Sequence, residues 1–115
     1  MSRPEVAFKV LTDAEMKALE AGTFAGAAVD VADGYIHLST AAQLTETVDK
    51  HFTGQSDLWV AEVDLAVLGD TVRWEASRGG QQFPHIYGAL TLDAVVAYSP
   101  LERDDDGTVR LPVTG

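Results

Sequence analysis

The chain has 115 residues and 12.3 kDa, the length of one domain with one core, and its hydrophobic (46%) and charged (23%) fractions exclude a disordered polymer. Eight Lys and Arg stand against eighteen Asp and Glu, a formal charge of -10, so the mean surface field repels phosphate backbones and anionic headgroups. We therefore expect no nucleic-acid and no membrane partner, and the absence of Cys removes disulfides, thiolate metal sites and a Cys nucleophile, which fits a cytoplasmic setting.

In chain order, Val6, Phe8 and Val10 alternate with Ala7, Lys9 and Leu11, the period-two pattern of a half-buried strand. Thr12-Asp13-Ala14-Glu15 is a Thr-x-x-Glu capping box that predicts a helix, with Gly22 as its C-cap. Thr23 to Gly34 reads as a connection with some buried points, and Tyr35 to Ser39 as a short strand. Thr40-Ala41-Ala42-Gln43 opens a second helix whose Leu44, Val48 and Phe52 share one face, ending at Thr53-Gly54.

Leu58 to Val63 reads as a buried strand, Asp64 to Gly69 as one helical turn, and Val72 to Glu75 as another strand. Ala76 to Gly88 shows little periodicity and reads as a long loop, the kind that carries function or packs as an Ω-loop. Ala94 to Tyr98 reads as a buried strand, and Thr108 to Leu111 as a last short edge strand after a charged turn. Two helices in the N-terminal half and about six strands that do not alternate with helices predict an α+β domain with a mostly antiparallel, bent sheet. The expected core is Ile36, Leu38, Leu44, Val48, Phe52, Leu58, Val60, Val63, Val95 and Val96.

Candidate chemistry gathers in two segments. Tyr35, His37 and Ser39 fall on one face of a strand, with Ile36 and Leu38 on the other. Glu75, Arg78, Gly79 and Gly80 then join a strand end to a Gly pair able to present backbone N–H groups to an anion, with Arg78 as a fork-shaped charge. His85 and Tyr87 follow in the same segment, His85 able to titrate and Tyr87 able to stack or pack. His37 and His85 are thus the catalytic candidates, with Tyr35, Ser39, Glu75, Arg78, Gly79, Gly80 and Tyr87 as ligand-binding candidates for an anionic small molecule.

The bland readings stand beside these: Ser39 capping the next helix, His37 bonding a carbonyl, and Arg78 pairing with Glu75 or an Asp. His51 reads as a surface residue at a helix end. No Walker loop, dinucleotide fingerprint or nucleophile elbow is present.

Asp33-Gly34-Tyr35-Ile36-His37-Leu38-Ser39-Thr40, Arg73-Trp74-Glu75-Ala76-Ser77-Arg78-Gly79-Gly80 and Phe83-Pro84-His85-Ile86-Tyr87-Gly88 resemble the small bacterial proteins grouped as the domain of unknown function 952, over about Phe8 to Leu101. That resemblance implies a fold similar to the ADP-ribosyltransferases and, with it, NAD as a cofactor or substrate. There a strand His followed by Ser or Thr binds the NAD ribose, a Tyr stacks on nicotinamide and a Glu stabilises the ribosyl cation. His37 and Ser39 look like the first element and Tyr87 like the stacking Tyr. The Glu has no counterpart on a late strand: Glu102 lies at a polar turn, and Glu75 precedes Tyr87.

Three readings follow: a small-molecule cleft, nucleotide-like or NAD-like; a metal-dependent enzyme with His37, His85 and Glu75 as ligands; and a non-catalytic interaction domain whose polar set is an internal network.

Overall fold

The computed structural model describes residues 4–76 and 80–112. Its elements run β1 (Val6–Thr12), α1 (Asp13–Ala21), α2 (Ala28–Asp33), β2 (Ile36–His37), α3 (Ala41–His51), β3 (Leu58–Asp64), α4 (Leu65–Leu68), β4 (Val72–Ala76), β5 (Gln82–Ile86) and β6 (Val95–Pro100). The strands form two three-stranded antiparallel sheets, ordered β1-β3-β6 and β2-β5-β4, rather than the single bent sheet expected. Among the described residues one bridge joins them, Phe8 with Ser39, in which each backbone N–H donates to the other's carbonyl.

Local chemistry sets the first helix as the sequence predicts. The Thr12 hydroxyl accepts from the Glu15 N–H at 3.2 Å and the Glu15 carboxylate accepts from the Thr12 N–H at 2.9 Å, while Gly22 takes the left-handed conformation (φ 78°) that ends the helix. Thr12→Ala is expected to lower stability by about 1 kcal/mol, read as a shifted urea midpoint with unchanged slope. A change below a few tenths would mean that packing alone holds this helix.

Packing departs from the half-buried pattern at β1, because both faces are covered. Phe8 and Val10 pack with Leu44 and Val48 of α3, while Ala7 and Leu11 pack with Met16 and Leu19 of α1 and with Ile36, Leu38 and Ile86 of the second sheet. The sheet of β1 and β3 is therefore a middle layer between α3 and the second sheet, and alternate residues feed two apolar clusters.

Four expectations need correction. The segment 23–34 contains α2, whose carboxylates make it a structural element rather than a plain connection. Ala76 to Gly88 is not a loop throughout: Gln82–Ile86 is β5, the central strand of its sheet. It shows no amphipathic alternation, because Phe83, Pro84, His85 and Ile86 are all buried. The β6 ladder shifts register between Glu62 and Val63, so Val95 is half-buried and Val96 is 47% exposed on an edge strand, and Phe52 is half-buried too. Thr108 to Leu111 makes only one isolated bridge, Val109 with Arg103. The other seven predicted core residues are buried.

Candidate functional site

The second sheet carries one apolar and one polar face. Ile36, Ile86 and the half-buried Val72 and Trp74 turn inward, so period-two alternation turns Tyr35 and His37, His85 and Phe83, and Arg73 and Glu75 the other way. His37 and His85 are directly opposed in the β2–β5 pairing, with ring centroids 5.2 Å apart. Tyr35 stacks on His85 at 4.3 Å and lies 4.7 Å from the His37 ring and 5.1 Å from Tyr87. The Arg73 guanidinium sits 4.9 Å over the Tyr87 ring.

Each histidine has its own carboxylate environment. His37 donates from Nδ1 to Asp30 Oδ1 at 2.7 Å, its Nε2 meets Asp33 Oδ2 at 3.0 Å, and its backbone N–H donates to Asp30 Oδ1 at 3.0 Å. Asp30 also accepts from the Ala27 N–H at 2.8 Å and pairs with the Lys9 ammonium at 2.8 Å. Burial pushes the Asp30 carboxyl up, but the His37 ring, the Lys9 charge and the His37 backbone N–H outweigh it and hold the group well below the usual carboxylate range. Lys9 and Asp30 are both buried, so this is an ionised pair inside the protein.

His85 is 3% exposed and its Nδ1 lies 2.8 Å from Glu75 Oε1, which also accepts from the Tyr87 hydroxyl at 2.7 Å. The His85 and Tyr87 hydrogen bonds lower the Glu75 carboxyl below its ordinary value, and the same bond to Glu75 raises the Tyr87 phenol.

A cleft of about 590 Å³ opens between β1, α2, α3 and β5, and Lys9, Asp33, His37, Ser39, His51 and His85 line it beside Phe8, Val10, Phe52 and Phe83. Of the predicted residues, His37, Ser39 and His85 therefore meet in one cleft. Tyr35 lines a neighbouring hollow of about 330 Å³ with Gly34, Ile86 and Gly88. Glu75 and Tyr87 stand behind His85 and line neither space, and exposed Gly80 lines neither. Arg78 and Gly79 lie outside the described residues. Ser39 does not cap α3: its hydroxyl meets the Thr47 hydroxyl at 2.8 Å, and Thr40 takes the cap position, with its N–H donating to Gln43 Oε1 at 3.0 Å.

The metal reading finds no support in this arrangement. Both His37 nitrogens face carboxylates, Glu75 Oε1 already takes two donors, and among the described residues no three His, Asp or Glu are placed to hold a metal ion.

Sequence reading missed Lys9, Asp30, Asp33, Thr47 and Arg73. Two signals pointed to the first three: a lone Lys in the apolar run Val6 to Leu11 needs a buried partner, and Asp30 and Asp33 share a face at helical spacing.

Comparison with solved structures gives a crystal structure of protein CC0527 from Caulobacter crescentus, 44% identical, covering 92% of this chain and 94% of that one with a TM-score of 0.82. A solution NMR structure of CC0527, also 44% identical, covers 92% and 91% with a TM-score of 0.76. No curated protein matches the chain. The family model described as "Protein of unknown function (DUF952)" matches residues 10–98, a span that holds every element from α1 to β5, and the chain belongs to that family.

Proposed function

We propose that the chain binds a small nucleotide-like or NAD-like molecule in the cleft between β1, α2, α3 and β5. The observation that carries this reading is the convergence of His37, His85, Lys9 and Ser39 on one cleft of about 590 Å³, a volume inside the usual range for small-molecule sites. Phe8, Val10, Phe52 and Phe83 supply the apolar lining for a planar ring, and His85, with only Nδ1 engaged by a described residue, supplies orientation. The kinship to ADP-ribosyltransferases belongs to this proposal. It is supported by a strand His followed by Ser and a helix, and by antiparallel sheets joined at a single bridge.

Thermal unfolding with NAD, ADP-ribose, AMP and nicotinamide tests the proposal, because a ligand that binds only the folded state must stabilise it. At a hundredfold excess over Kd the gain is about 2.7 kcal/mol, several degrees in Tm for a domain of this size. No shift with any of the four at millimolar concentration sinks the nucleotide reading.

One part of the polar set supports a structural role instead. Lys9, Asp30 and the two committed nitrogens of His37 form an internal network that pins α2 to β1 and β2, so this portion serves the fold whatever the cleft binds.

A further inference from the structure

We propose that His85, with Glu75 behind it, is a proton acceptor facing the cleft, its Nε2 taking a proton from a hydroxyl group held there. The proposal rests on the cleft being a ligand site and assigns the chemistry that the site performs.

The two histidines that meet in the cleft differ in what their nitrogens are free to do. His37 has both taken by Asp30 and Asp33. His85 has Nδ1 on Glu75, and no described residue hydrogen-bonds its Nε2. Glu75 is outside the cleft while His85 lines it, so the ring edge remote from Glu75 is the one left for the cleft. The lowered Glu75 carboxyl is ionised at neutral pH and can only accept, which makes Nδ1 the donor and leaves the lone pair of a neutral ring on Nε2.

The ring is also held still. Tyr35 stacks on it at 4.3 Å, the Tyr87 hydroxyl fixes Glu75 at 2.7 Å, and the side chain is 4% exposed. A buried imidazole with one nitrogen oriented by a carboxylate and the other unpartnered is the arrangement of a general base. In the step, the O–H bond breaks, its electron pair stays on oxygen, and the proton binds the Nε2 lone pair. The imidazolium charge so formed is offset by Glu75 across Nδ1–H.

Two measurements on the intact protein test this. Long-range proton–nitrogen-15 correlation spectra should show neutral His85 protonated at Nδ1; a proton on Nε2 overturns the proposal without any ligand being known. Diethylpyrocarbonate, with the sites mapped by mass spectrometry and N-acetylhistidine as the reference nucleophile, should modify His85 but spare His37. Glu75→Ala removes the acceptor that holds the Nδ1 proton, so the correlation spectra should then show a mixture of His85 tautomers. An unreactive His85, or a tautomer indifferent to Glu75, overturns the proposal. Should Glu75→Ala fail to fold, the wild-type tautomer decides.

Repeating the reaction with adenosine tests a ribose hydroxyl as the proton source: protection of His85 supports it, and an unchanged rate removes the ribose hydroxyl of adenosine as that source. The thermal-shift series can fail while the tautomer and reactivity hold, in which case the nucleotide reading falls and the proton acceptor stands.

Discussion

Replacing Asp30 by alanine is expected to cost about 3–5 kcal/mol of folding free energy, the range for removing one partner of a buried ion pair. The side chains of Lys9 and Asp30 are 6% and 1% exposed, so water reaches the ammonium left behind only from the cleft that Lys9 lines. The same substitution orphans the Ala27 N–H and the His37 backbone and ring donors, which no other described carboxylate reaches on that side. Against a typical total of about 5–15 kcal/mol this is a large fraction, visible as a lowered urea midpoint. A loss under about 1 kcal/mol would show that the network is solvated and marginal.

Lys9→Met combined with Asp30→Leu separates charge burial from packing, since the double variant leaves no unpaired ion and should lose less than Asp30→Ala. The pH dependence has a definite sign. The Asp30 carboxyl is depressed in the folded chain, so its contribution is fully present above the unfolded value of about 3.9 and is lost as pH falls towards the depressed folded value. Wild type should therefore lose stability in acid more steeply than the double variant.

Ile86→Ala is expected to cost about 2–5 kcal/mol, the range for truncating a buried aliphatic side chain. Ile86 is 0% exposed, faces Ile36 on β2 and Val72 on β4, and belongs to the cluster that joins the second sheet to α1. The same substitution in a surface loop would fall within about ±0.5 kcal/mol. Equilibrium unfolding thus measures how firmly Ile86 is anchored, and slow amide exchange across Gln82–Ile86 distinguishes a central strand from the core-anchored loop that the sequence suggests. The effect also reaches the site, because His85 is the next residue and its cross-strand register with His37 depends on the Ile36–Ile86 pair.

What the sequence determined by itself is local. Thr12, Glu15 and Gly22 specify the ends of α1 through bonds within a few residues, and the four-residue spacing of Leu44 and Val48 specifies the buried face of α3. Tyr35, His37 and Ser39 alternate with Ile36 and Leu38, so a polar face was legible there, and the family motifs were legible as strings of residues. Tertiary structure decided the rest. β5 has no alternating pattern to read because it lies between two strands with Phe83, Pro84, His85 and Ile86 all buried, and only its neighbours make that burial affordable to a histidine. The pairing of His85 with Glu75 spans ten residues and two strands, and that of Lys9 with Asp30 joins β1 to α2. The Lys9–Asp30 pair draws its energy from low-dielectric surroundings, and both pairs need partners that come together only after the sheets have packed, which is why residues scattered along the chain become one site.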